Sequence, residues 1–123
     1  MAKILIIEDS PANMKLAVLL VGSAGHTSLQ AEDAQKGIAA VHAERPDLIL
    51  MDMQLPDMDG MEATAILKAD ETTRDIPVVA LTASAMKGDR ERMLAAGCDG
   101  YIEKPIDFAS FVAEINSVLE RRR

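Results

Sequence analysis

Five short apolar runs, KILII (3–7), TSLQA (27–31), DLILM (47–51), PVVALT (77–82) and GYIE (100–103), alternate along the chain with segments of helical length. That alternation restricts the fold more than any other feature of the sequence. Stretches such as LILM and PVVAL are apolar at every position, the pattern of strands covered on both faces. A strand that returns through a helix pairs parallel to the one before it, and the crossover is right-handed. The spacing therefore predicts one α/β domain over residues 1–123, a doubly wound five-stranded parallel sheet with helices on both faces. The common order at this size is 2-1-3-4-5, a flavodoxin-like arrangement whose functional groups gather at the carboxyl edge.

Local punctuation supports the helices. Ser10 and Pro11 read as N-cap and first helical position, and Gly25 closes that helix after Ala24. Asp33 caps a second helix running to Arg45, where Pro46 stops it. A third follows Gly60, a fourth spans Lys87 to Ala96 before Gly97, and a fifth runs from Asp107 to the end.

Composition excludes several classes. About half of the 123 residues are hydrophobic, enough for a packed core with no metal or disulfide staple. A net charge of -7 repels DNA phosphates, so direct nucleic-acid binding is not expected. Tyr101, Phe108 and Phe111 are too few to build a stacking platform for single strands. Arg121, Arg122 and Arg123 form the one basic run and are expected to complement a helix C-terminus. Cys98, the sole cysteine, reads as a small, partly buried residue. His26 and His42 are isolated and receive no phosphodonor role. The N-terminal apolar run meets Glu8 and Asp9 too soon for a signal peptide, and no run is long enough to span a membrane. The cytoplasm is the expected location.

The chemistry lies at the strand ends. Glu8 and Asp9 follow strand 1, Asp52 ends strand 3, Thr82 ends strand 4 and Lys104 ends strand 5. With strands 1 and 3 adjacent, the three carboxylates converge, and Thr82 and Lys104 approach from the other side. Two carboxylates about 4 Å apart repel by roughly 4 kcal/mol at an effective dielectric of about 20. Three of them beside one lysine would burden a domain stable by only about 5–15 kcal/mol. Either one carboxyl stays protonated or a cation binds. An all-oxygen donor set favours a hard divalent ion, and an open, wet site suits Mg²⁺. Such a site fits phosphoryl transfer to Asp52, with Lys104 as a positive point charge and Thr82 as a hydroxyl donor.

These residues resemble the receiver domains of bacterial two-component response regulators. The likeness covers essentially the whole chain: the pair Glu8–Asp9, the stretch LILMDMQLPDMDG around Asp52, the threonine of VVALTA, and YIEKP with Tyr101, Lys104 and Pro105. The resemblance implies a phosphorelay switch in which Asp52 becomes an aspartyl-phosphate at the expense of a phosphohistidine. The donor would be a sensor histidine kinase or a histidine phosphotransfer domain. It implies Mg²⁺ on Asp9, Asp52 and the backbone carbonyl of Gln54, with Glu8 acting partly through water. Thr82 would turn toward the phosphoryl group and Tyr101 change rotamer with it, remodelling the face of helix 4, strand 5 and helix 5 for a downstream protein. Gln54 and Ser84 would tune phosphoryl lifetime, and Lys104–Pro105 would be a cis peptide. Glu8 replaces the aspartate frequent at its position in the family.

The segment from Ile76 to Ile106 is similar to DivK-type single-domain regulators of cell-cycle and polarity control, and to receiver domains of hybrid histidine kinases. No linker or effector follows helix 5, so a stand-alone receiver is expected, with a domain excised from a hybrid kinase as the alternative. On this reading the chain is not an enzyme beyond catalysing its own phosphoryl transfer and dephosphorylation.

Four other readings fit less well. A haloacid-dehalogenase-type phosphatase shares the aspartyl-phosphate but wants a second aspartate where Gln54 stands. A flavodoxin-like electron carrier must cradle a flavin phosphate at the first strand–helix loop, where EDSPAN places two carboxylates. PDMDG lacks the spacing of a calcium loop. A pseudo-receiver that only docks is disfavoured by the intact set Asp9, Asp52, Thr82 and Lys104. Asp57 and Asp59 read as turn and helix-start residues before Gly60.

Overall fold

The computed structural model describes residues 1–122. The elements run β1 (Lys3–Ile7), α1 (Pro11–Ser23), β2 (Thr27–Ala31), α2 (Ala34–Glu44), β3 (Leu48–Asp52), α3 (Gly60–Ala69), β4 (Val78–Thr82), α4 (Lys87–Ala96), β5 (Gly100–Glu103) and α5 (Phe108–Arg122). The five strands are all parallel in the order β2-β1-β3-β4-β5, the arrangement the alternation predicts.

Boundaries moved by a residue or so where pairing or capping decides them. β3 begins at Leu48, one residue into the apolar run, and ends as expected at Asp52, which pairs with Leu81 and so belongs to the strand itself. β4 begins at Val78, after Pro77, which has no N–H to give the ladder. α2 ends at Glu44 because Arg45 adopts the left-handed conformation (φ 49°) ahead of Pro46. α5 starts at Phe108, with the Asp107 carboxylate accepting from the Ser110 amide at 2.9 Å.

Alternation along the central strands builds two cores. Leu5, Ile7, Ile49, Met51, Val78 and Ala80 face one side, where α2, α3 and α4 supply Val41, Leu67 and Met93. Ile4, Ile6, Leu48, Leu50, Val79 and Leu81 face the other, covered by Met14, Ala17 and Val21 of α1 and by Phe111, Ile115 and Val118 of α5. Phe111 is fully buried, and such a side chain contributes about 1.5–3 kcal/mol by leaving water. With both faces covered, the open carboxyl edge is where polar side chains collect.

Two details lie away from the strand ends. Arg121 donates to the Asp99 carbonyl at 3.1 Å, tying α5 to the approach of β5. Arg123, also placed in that basic run, lies outside the described residues. Cys98 is buried, with its sulfur 4.0 Å from the Thr64 hydroxyl, and burial pushes its thiol pKa up. Among the described residues no helix is long and apolar enough to cross a membrane.

Candidate functional site

Register brings the strand-end residues together. β1 and β3 are neighbours, with Ile7 opposite Met51, so the residues just past Ile7 stand beside Asp52. Oxygens of Glu8, Asp9 and Asp52 all lie within 4.8 Å of one another. Glu8 and Asp52 are buried, while Asp9 is exposed.

Lys104 bridges the two buried acids. Its Nζ is 3.2 Å from Glu8 Oε1 and 3.3 Å from Asp52 Oδ2. The remaining oxygens are held by backbone: Glu8 Oε2 accepts from the Ser10 amide at 3.0 Å, and Asp52 Oδ1 from the Gln54 amide at 3.0 Å. The Ser10 contact comes from the N-cap of α1, whose own hydroxyl accepts from Asn13. Lys104 follows β5 and precedes Pro105 across a cis peptide bond.

The charge balance is poor as it stands. Burial first, and then a hydrogen bond shared with Asp52, push the Glu8 carboxyl up to about 7 against the opposing pull of Ser10 and Lys104. One lysine against three carboxyls leaves negative charge uncompensated. Every donor is an oxygen and one of the three acids reaches solvent, so the set fits a hard divalent cation that keeps some of its water.

The other expected residues surround this centre. Thr82 ends β4 one position beyond Leu81, the partner of Asp52, and lines the same cleft, of about 350 Å³. Its hydroxyl donates to the Ser84 carbonyl at 2.8 Å. Gln54 also lines the cleft, and its backbone makes a single antiparallel bridge with Asp59. Tyr101 stands apart from that cleft, half-buried on β5, with its hydroxyl 3.5 Å from Arg90 on α4. Asp59 caps α3 through the Met61 amide, as its place before Gly60 suggests.

Two features have no counterpart in the sequence reading. Asp57, expected as a turn residue, accepts from the Ala34 and Gln35 amides at 2.9 Å each and so caps α2. Its partners lie 22 and 23 residues away, and no local pattern announces them. Asp89 and Arg92 of α4 join Ser84 in the wall of the cleft. Asp89 carried a visible hint, an acid in the first turn of a helix, but nothing in the sequence aimed it at Ser84.

Known proteins share this arrangement. The family model described as the response regulator receiver domain matches residues 4–116. The polar-differentiation response regulator DivK of Brucella anthropi is 44% identical over 116 residues, covering 94% of each chain. Among solved structures, the receiver domain of a sensor histidine kinase from Pseudomonas aeruginosa holds a magnesium ion in its active-site cleft. It is 37% identical, with a TM-score of 0.82, over 98% of this chain and 95% of that one. A response regulator from Chloroflexus aurantiacus, described as putative, superposes with a TM-score of 0.93 over 98% of both chains. At 22% identity that match speaks for the fold alone.

Proposed function

The chain belongs to the response regulator receiver domain family, a phosphorylation-dependent switch of two-component signalling, and on that premise we propose that Asp52 carries the phosphoryl group. The observation that supports this most directly is Lys104, held within 3.3 Å of both buried acids at the strand ends. An Asp52 oxygen attacks the phosphorus of a phosphohistidine. The O–P bond forms as the P–N bond breaks, and its electron pair returns to the imidazole. Lys104 holds its charge against the phosphoryl oxygens, and the Thr82 hydroxyl becomes a donor to them once it leaves Ser84.

Asp9, Asp52 and the Gln54 carbonyl would hold Mg²⁺, with Glu8 acting through water. Bound there, the ion supplies positive charge against the phosphoryl oxygens. The donor is a sensor histidine kinase or a histidine phosphotransfer domain. Output goes to a downstream protein through the α4–β5–α5 face, where Tyr101 and Arg90 meet. Residues 1–123 act as one receiver domain that catalyses only its own phosphorylation and dephosphorylation.

Beryllofluoride or acetyl phosphate with Mg²⁺ should shift the Thr82 and Tyr101 resonances of the wild-type protein and leave Asp52→Asn unmoved. Identical responses from the two proteins would remove Asp52 from the role.

A further inference from the structure

The cleft that holds Asp52 has a wall the phosphoryl chemistry does not itself use. Ser84, Asp89 and Arg92 line that wall. The Thr82 hydroxyl donates to the Ser84 carbonyl at 2.8 Å, and the Ser84 amide donates back to that hydroxyl at 3.1 Å. The Ser84 hydroxyl donates to Asp89 Oδ2 at 2.6 Å, and the Arg92 guanidinium closes the chain on Asp89 Oδ1. The end of β4 is thereby tied to the first turn of α4. Met86, the N-cap of that helix, offers it no side-chain acceptor, which leaves Asp89 as the acid of the turn.

This geometry opposes the movement the switch requires. A hydroxyl engaged with Ser84 must leave it to meet a phosphoryl group, and the Ser84 turn is itself fixed by Asp89. A hydrogen bond to an ionised acceptor is stronger than one between neutral groups. The Ser84 hydroxyl and then Arg92 hold the Asp89 carboxyl below its usual range, so the acceptor is an anion at neutral pH.

We infer that Asp89 is a positioning residue of the switch: through the Ser84 hydroxyl it holds the Thr82–Ser84 turn in the resting form and sets the cost of bringing Thr82 onto the phosphoryl group. Its effect on switching rests on Asp52 being the acceptor, whereas the tie itself does not.

The test therefore has two arms, both on the full chain. In the resting protein with no phosphoryl analogue, Asp89→Ala should speed solvent exchange of the Ser84 amide by about tenfold and move the Thr82 methyl resonance. Asp89→Asn, which keeps an acceptor, should restore most of the protection. Glu91→Ala makes the same charge change at an exposed α4 position and should alter neither signal. In the second arm, Asp89→Ala should lower the beryllofluoride concentration for half-saturation at fixed Mg²⁺ by about fivefold, the scale of one modest hydrogen bond. Ser84→Ala should give a similar shift, and the double variant no more than either.

Unchanged Ser84 exchange in Asp89→Ala overturns the tie, as does faster exchange spread over the whole domain. An unchanged half-saturation, or an equal effect from Glu91→Ala, overturns its influence on switching. A wild-type protein that ignores beryllofluoride overturns that influence together with the Asp52 reading, while the resting arm still decides on the tie.

Discussion

Lys104 compensates two carboxylates at once, so its removal acts on both. In Lys104→Ala, Glu8 and Asp52 lose their shared cation, and incoming phosphoryl oxygens lose a positive charge held within 3.3 Å of the acceptor. Removing one preorganised donor to developing charge costs about 10²-fold in rate, and a loss of that order is expected for labelling by acetyl phosphate. Intact-mass kinetics would measure it, and a rate within twofold of wild type would take Lys104 out of the chemistry. The residues of this centre were legible in the sequence for a topological reason. Glu8, Asp9, Asp52, Thr82 and Lys104 each stand at a strand terminus, and the strand order alone decides which termini meet. The bridging position of Lys104 was not legible, because reach across the edge depends on side-chain length and conformation.

At the scale of elements, the misses share a cause. Helix ends are read from residues three or four apart, but α2 takes part of its cap from Asp57, in the loop after β3. That contact links α2 to the loop that follows Asp52, and it titrates. The Ala34 amide above all, with the Gln35 amide, holds the Asp57 carboxyl below its ordinary 3.8. A carboxyl depressed on folding contributes stability that is present above pH 3.8 and is lost as pH falls through the lower folded value. Asp57→Asn should therefore flatten the loss of stability below about pH 4 and lower stability at pH 7, read from urea midpoints across that range. Midpoints that track wild type through the acid range would show the cap to be inert. The start of α3 is constrained in another way. A Cβ on Gly60 would overlap the carbonyl oxygen of Asp52 and the backbone of Met53. Gly60→Ala is thus expected to shift the backbone at Asp52 and slow labelling by acetyl phosphate, which intact-mass kinetics would measure.

For the whole molecule, the two cores and the edge are separable. Phe111 sits among the α1–α5 core residues, on the opposite side of the sheet from the α2–α3–α4 core. Phe111→Ala should cost about 3–5 kcal/mol in urea unfolding while leaving beryllofluoride half-saturation near its wild-type value. The edge behaves in the opposite sense, because its acids are assembled only by folding. Residues 8, 9 and 52 arrive from two strand ends, so an unfolded chain offers a divalent cation no comparable site. Binding confined to the folded state stabilises it by RT ln(1 + [L]/Kd), about 1.4 kcal/mol when Mg²⁺ stands at tenfold its dissociation constant. The melting temperature should therefore climb with the logarithm of Mg²⁺ concentration and fall back on chelation. Asp9→Ala, which removes the exposed acid of the cluster and leaves the Lys104 bridge in place, should abolish most of that dependence. It should also relieve repulsion in the ion-free protein and raise its own baseline melting temperature. A Mg²⁺ response in Asp9→Ala equal to wild type would place the cation elsewhere on this acidic chain.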